Sequence, residues 1–259
     1  MAKDTMSKTF FVAFALCVVC SVLVSAAAVV LKPTQAANKL ADKKKNILSA
    51  AGLYEDGADI DALFGQIEAR VVDLQSGQYA DDIDPSTFDF VSAAKDNELG
   101  TAIDPGLDRA GIKRRSRYIP VYLVRKRGAV DKIVLPLYGK GLWSTLYGFL
   151  AIDRDDLSTI RSLVYYQHGE TPGLGGEVDN PAWKAQWNGK QAFDAEGNIA
   201  IQVMRGAVDP SSPSAHSQVD GLSGATITAR GVHDMLHYWL SEEGYGPYLK
   251  HLRSEGGIG

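Results

Sequence analysis

The stretch Asp220-Gly221-Leu222-Ser223-Gly224-Ala225-Thr226, followed by Ile227 and Thr228, sets a hydroxyl at the end of a run of small residues. An apolar helical pattern begins directly after it. Gly224 and Ala225 leave room for a bulky anion to approach the backbone. A helix beginning after Thr226 aims its free N–H groups and positive dipole end at that anion. A hydroxyl beside such a site can carry a phosphate ester as well as touch a phosphate. A plain helix-capping turn uses the same residue types, so the segment needs corroboration elsewhere in the chain.

The corroboration lies upstream, in His168-Gly169-Glu170-Thr171-Pro172-Gly173-Leu174-Gly175. The two stretches, in this order, resemble the Glu-Thr-Pro-Gly-Leu-Gly and Asp-x-x-Ser-Gly-Ala-Thr signatures of the FMN-binding domain family, whose members carry FMN esterified through its phosphate to threonine. A flavin site needs a phosphate clamp, an apolar slot for the ring and donors for the ring's nitrogens and oxygens. Ser223, Gly224, Ala225 and Thr226 supply the clamp. Gly173, Gly175 and Gly176 form a turn whose N–H groups can approach a planar ring. Leu174 can pack on the ring face, and Thr171 and Glu170 can place polar atoms at its rim. Trp143, within Gly139–Gly148, is either a ring-packing aromatic or a core residue. Arg205 either neutralises phosphate or reduced flavin, or is an exposed loop arginine.

Other chemistries find less support. His233 and His237, four apart on a helical pattern, have metal-binding spacing, but no third ligand is evident nearby, so no metal is expected. No glycine pattern of a nucleophile elbow surrounds a serine. No Gly-x-Gly-x-x-Gly follows a strand, so NADH binding is not expected on this chain. No residue is assigned a catalytic role.

The chain has 259 residues and a net charge of −4, so no global basic field invites nucleic acid. The basic run Lys113-Arg114-Arg115, with Arg117, Arg125, Lys126 and Arg127, reads as a strand edge protected by charge or as a docking surface for an acidic partner protein. Phe10–Leu31 lacks any charged side chain. That is close to the ~20 residues a helix needs to span a bilayer. It exceeds a typical signal-peptide core, so an uncleaved anchor is preferred to cleavage near Ser25-Ala26-Ala27-Ala28. Cys17 and Cys20, the only cysteines, lie inside this run on one helical face and read as small packing residues. Lys3 and Lys8 precede the run, whereas Lys32, Lys39, Lys43, Lys44 and Lys45 follow it. The positive-inside rule read from these lysines keeps the soluble part in the cytoplasm.

Pro33 is expected to end the anchor. Ala36–Ala51 and Asp59–Leu74 read as amphipathic helices, with Gly52 as the stop between them. Residues 76–105 are polar and acidic, a loop with one short helix. Strands are expected at Tyr118–Arg125, Lys132–Tyr138, Tyr147–Asp153, Thr159–Gln167 and Asn198–Met204, from their Val, Ile, Leu and Tyr content. Gly128-Ala129 turns the first two into a hairpin. Pro181–Trp187 begins a short helix with Trp183 and Trp187 on one face, and Ala229–Ser241 is a helix. The fold class is α+β: one N-terminal transmembrane helix, then a soluble domain with a twisted, mainly antiparallel sheet flanked by helices. The division is a tail at 1–9, a membrane helix at 10–31, a juxtamembrane helical region and polar loop at 32–110, and an FMN-binding domain at 111–259.

The anchor, Asn46–Leu53, Gly-Leu-Trp-Ser at 141–144, the motif at 170–175, Pro181-Ala182-Trp183, Trp187–Lys190 and Ser-Gly-Ala-Thr at 223–226 occur in one order. Together they resemble the family of the C subunit of the sodium-translocating NADH:quinone reductase over nearly the whole chain, most weakly at 76–105. The related FMN-carrying subunit of the ion-motive ferredoxin–NAD reductase is the alternative, and a structural membrane-anchored module without a redox role is a third. The family resemblance implies FMN attached covalently to Thr226 by a flavin transferase, with Asp220 and Ser223 in the motif that enzyme recognises. It implies a single-pass protein of the bacterial inner membrane whose soluble domain faces the periplasm, against the lysine bias. It also implies a six-subunit membrane assembly that passes electrons from NADH to ubiquinone and exports sodium, with the NADH and quinone sites on other subunits.

Overall fold

Strand-forming residues in long runs need cover on both faces, and the computed structural model, which describes residues 6–254, shows how this chain provides it. The chain divides into two compact units, residues 1–43 and 44–259. A single helix, α1 (Met6–Ala51), contains Pro33. The expected stop at Pro33 is therefore overturned. Proline removes one backbone hydrogen bond, and the helix formers from Ala36 onward restore the ladder. The helix ends at Gly52, whose φ of +70° only glycine adopts cheaply. This is the one helix among the described residues long and apolar enough to cross a membrane. Cys17 and Cys20 are exposed on it. Of the tail expected at 1–9, residues 1–5, with Lys3, lie outside the described residues, and Met6 onward is helical.

Next come α2 (Ile60–Phe64), capped by the Asp59 carboxylate, and β1 (Ile67–Asp73). The single helix expected over Asp59–Leu74 is thus two elements. Ile67 and Ala69 meet one core while Val72 meets the other, a period of two that the helical reading overlooked. Backbone pairing to a neighbour decides the matter. The acidic stretch holds α3 (Phe90–Ala93) and β2 (Gly100–Ala102), the latter paired with β3 (Arg114–Ser116). The main strands follow: β4 (Tyr118–Lys126), β5 (Ala129–Lys140), β6 (Thr145–Asp153) and β7 (Ile160–Gln167). They form an antiparallel sheet in the order β1-β4-β5-β6-β7. The hairpin at Gly128 is as expected, with φ of +90°. Its basic residues are partly committed, since Arg125 grips Glu68 of the edge strand at 2.6 Å.

Beyond the sheet lie α4 (Pro181–Ala185), the two-residue strands β8 (Gln202–Val203) and β9 (Gln218–Val219), α5 (Thr226–Leu240) and α6 (Gly246–Ser254). Only two residues of the strand expected at Asn198–Met204 pair as a strand, in parallel with β9. Helices α5 and α6 cover one face of the sheet: Val232, Met235, Leu236, Trp239, Tyr248 and Leu252 pack with Ile133, Leu135 and Leu150. Ile47, Leu48, Ala50 and Ala51 cover the other, against Tyr122, Val134 and Phe149. Coverage on both faces explains why β5 reads as a nearly continuous apolar run rather than an alternating one.

Helix α5 lies very close to the sheet. A Cβ at Gly231 would overlap the Lys140 carbonyl oxygen, and one at Gly139 would stand 2.7 Å from Met235 Cβ. These two glycines fix the seat of the helix whose first residue is Thr226.

Candidate functional site

Thr226 is exposed at the first turn of α5, and no side chain among the described residues caps the helix. The first ladder bond runs from the Ala229 N–H to the Ala225 carbonyl at 3.0 Å. The N–H groups before it remain for an anion. Gly224 has φ of +70°, and a Cβ there would stand 2.9 Å from Leu174 Cδ2. The two sequence motifs therefore meet directly: the turn at 173–176 lies against the turn at 223–226. Ser223 and Gly224 are exposed, and Ala225 is buried beneath them.

Glu170 is the fastener of this junction. It is 5% exposed. Its Oε1 accepts from the N–H groups of Trp143 and Ser144, both at 3.0 Å, and from Ser144 Oγ at 3.1 Å. Its Oε2 accepts from Leu142 N–H at 3.2 Å and Thr228 Oγ1 at 2.6 Å. Burial opposes ionisation of this carboxyl. The bonds from Thr228, Trp143, Ser144 and Leu142 outweigh it and hold the pKa below the ordinary value of 4.5. Glu170 thus faces inward, and the expectation that it offers polar atoms at a ring's rim is corrected. Gly141 and Gly175 exist to admit it: a Cβ at either would come within 2.8 Å of a Glu170 oxygen. The N–H groups of Leu174 and Gly176 donate to the Thr171 carbonyl, so the turn uses those donors internally. Thr171 itself is exposed. His168 receives the Glu170 N–H on Nδ1 and therefore donates from Nε2 to Asp179, at 2.8 Å.

With the loop 141–144 tied to α5 in this way, Trp143 stands 69% exposed. The core reading of this residue is overturned. Leu174 and Ile227 are also exposed, at 45% and 56%. Leu174, which meets Gly224, and Ile227, next in the chain, give one flank of Thr226 an apolar surface, and Trp143 is exposed on the loop that Glu170 ties to α5.

The other flank is cationic. A cleft of about 300 Å³ is lined by Thr226, Arg109, Arg205, Arg230, His233 and Asp234, with Val203, Met204, Leu222 and Ala229 as its apolar wall. Arg205 lines this cleft and is an exposed loop residue, a place that fits both of its expected roles. Thr226, Arg230 and His233 share a face of α5 at i, i+4 and i+7. Arg109 reaches in from the loop before β3 and holds Asp234 at 3.5 Å. It also donates to His237 Nδ1 at 3.4 Å, while His237 Nε2 donates to the Ile201 carbonyl at 2.9 Å. Burial, with help from His233 and Arg109, pushes the His237 pKa down to about 4. Among the described residues no group of three His, Cys, Asp or Glu is arranged for a metal ion.

Asp220 braces the turn from below. It accepts from Val208 N–H at 2.7 Å and Gln186 Nε2 at 3.0 Å, and its carbonyl accepts from Trp183 Nε1 at 2.8 Å. Trp183 packs edge-on against Trp187 as the spacing suggested.

Residues 141–241 match the family model described as FMN-binding domain. The C subunit of the Na(+)-translocating NADH-quinone reductase of Pseudomonas aeruginosa is 52% identical over 97% of this chain and 97% of its own length. The chain belongs to that C-subunit family. The Yersinia pestis member is 47% identical over 97% of this chain and 94% of its own. A crystal structure of NqrC from Shewanella oneidensis superposes with a TM-score of 0.78, at 33% identity over 84% of this chain and 99% of that one. The α+β sheet and its flanking helices are thus the fold of this family.

Sequence reasoning passed over Arg109, Arg230 and Thr228. Arg230 was readable from its i+4 helical spacing to Thr226, whereas Thr228, two residues on, is buried on the opposite side, and its bond to Glu170 is tertiary. Arg109 carries no local signal, since only the tertiary fold brings it to α5.

Proposed function

We propose that the protein is the electron-transferring C subunit of a membrane assembly that oxidises NADH, reduces ubiquinone and exports sodium, and that it carries FMN joined through its phosphate to the Thr226 hydroxyl. The observation that carries this reading is the exposed Thr226 hydroxyl on an uncapped helix start, at the place where Leu174 of one motif lies against Gly224 of the other. The residues present fit the group. Arg205 and its neighbours in the cleft oppose a phosphate's charge, and Leu174, Ile227 and Trp143 offer apolar surface of the kind a flavin ring covers. FMN would supply electron transfer in steps of one or two. The chain's own contribution is placement: Glu170 locks the loop 141–144 and the turn at 170–176 to α5, and the close seat of α5 on β5 fixes the position of Thr226.

In this reading a flavin transferase attaches FMN, and the other members of a six-subunit assembly bring the NADH and quinone sites. The anchor is a single pass of the inner membrane, with the soluble domain in the periplasm, although the lysine distribution favours the opposite side. Its span from Phe10 to Leu31 contains no charged side chain and so offers no ion path of its own.

The test is a denaturing gel of the membrane-expressed chain, produced with its flavin transferase, beside Thr226→Ala. The expected result is a fluorescent band for the wild type and none for the variant. A fluorescent Thr226→Ala band would refute the attachment site.

A further inference from the structure

The cleft beside Thr226 has a net positive lining. It presents three guanidinium groups against one carboxylate, Asp234. Of the three, Arg109 is the one that pairs with that carboxylate, so Arg205 and Arg230 face the cleft without an acidic partner in its lining. His233 adds an unmet bond: its Nδ1 is buried and has no hydrogen-bond partner among the described residues. Guanidinium forks match phosphate oxygens in geometry as well as charge. The cleft runs along α5 from Thr226 to His233 and Asp234, roughly 10 Å at 1.5 Å per residue. Its volume of about 300 Å³ admits a phosphate and a short polyol chain. The apolar flank at Leu174 and Ile227 lies outside it.

We infer that Arg109 and Arg230, together with Arg205, form a phosphate-recognition cleft that binds FMN by its phosphate before any covalent bond exists and discriminates against unphosphorylated flavin. The inference rests on the reading of Thr226 as the flavin attachment point. It assigns a positioning role to Arg109, which lies outside the segment 141–241 that matches the FMN-binding family. Two unlike surfaces meet at Thr226, so the polar end of the ligand has one direction to enter and the ring another. Asp234 contributes by orienting Arg109, and its single negative charge leaves the lining net positive.

The full chain, produced without flavin transferase and kept in detergent micelles, is titrated with FMN and with riboflavin, and binding is followed by flavin fluorescence. FMN is expected to bind about tenfold more tightly than riboflavin, the size of one strong charge-assisted contact. Inorganic phosphate should compete with FMN and leave riboflavin binding unchanged. Arg109→Gln and Arg230→Gln should each cut the preference by about threefold or more, with riboflavin affinity unaltered as the sign of an intact fold. Arg230→Lys should recover part of it. Lys250→Gln, on α6 and paired with Glu242, should change nothing. Equal affinities for the two flavins, or a preference unmoved in both arginine variants, would overturn the inference. If covalent flavin then still forms on Thr226 in the presence of the transferase, the attachment reading survives and the phosphate cleft falls. A preference that persists where Thr226 never acquires flavin supports the cleft and overturns the attachment alone.

Discussion

Replacing Glu170 with glutamine tests whether this carboxylate holds the site together. The change is nearly isosteric, so its cost comes from hydrogen bonding. The amide oxygen can take the place of Oε1 and keep the Trp143, Ser144 N–H and Ser144 Oγ donors. Those three bonds lose their charge assistance, about 1 kcal/mol each. The amide nitrogen then faces Leu142 N–H, donor against donor, which costs about 1–2 kcal/mol more. Thr228 escapes, because its hydroxyl can turn and accept. A neutral side chain is easier to bury, which offsets part of the sum. The net loss is about 3 kcal/mol, a large share of a typical domain's ~5–15 kcal/mol. Amide hydrogen exchange at Trp143 and Ser144 reads it directly, with about a hundredfold acceleration expected. Because its pKa is depressed, the carboxylate contributes fully above the ordinary value of 4.5, and its contribution is lost as pH falls through the lower folded value. Unchanged exchange at both amides in Glu170→Gln would refute the fastener role, and with it the account of why Gly141 and Gly175 are glycines.

Asp220→Ala removes the acceptors for Val208 N–H and Gln186 Nε2 and should lower stability by about 3 kcal/mol in flavin-free protein, seen as a drop in Tm; an unchanged Tm would refute the bracing role of Asp220. Gly231→Ala would gain about 1 kcal/mol in an open helix, but here its Cβ overlaps the Lys140 carbonyl, so a net loss of about 2 kcal/mol is expected in denaturant unfolding. An NMR titration of the ring C–H signals should find His237 neutral down to about pH 4. Since that pKa is depressed, the stability that neutral His237 brings is complete above 6.5 and declines as pH falls from there toward 4. A midpoint near 6.5 would contradict the packing of His237 against Arg109 and Ile201.

Much of this molecule can be read from its residues. The strands at β4 to β7, the hairpin at Gly128 and the stop at Gly52 follow from local composition and turn chemistry, as does the helix expected at Ala229–Ser241, which in the structure begins three residues earlier, at Thr226. The two motifs around Thr226 are legible only together, because a capping turn uses the same residue types as either one alone. What escaped is non-local. Ile67–Asp73 fits a helix by spacing and a strand by alternation, and only pairing with β4 settles it. Glu170 was legible as a motif residue, yet its inward aim depends on Gly141 and on Thr228, which lies 58 positions away. Arg109 reaches Asp234 across 125 positions, and nothing beside it in the chain announces that contact.

The order of the sheet bears on how the molecule must be made. The segment that the FMN-binding family shares, 141–241, contributes only β6 and β7 to a five-stranded sheet. Cut out alone, it would bare the β6 edge that β5 now fills and leave α5 without the strand it lies on. Chemistry and self-sufficiency therefore have different boundaries here. A ribosome that has released residues 1–140 has delivered the platform of β1, β4 and β5 but not Thr226. Thr226 takes its place at the start of α5 only after β6, β7 and α5 have docked on that platform, so under the proposed attachment cofactor maturation follows folding rather than guiding it.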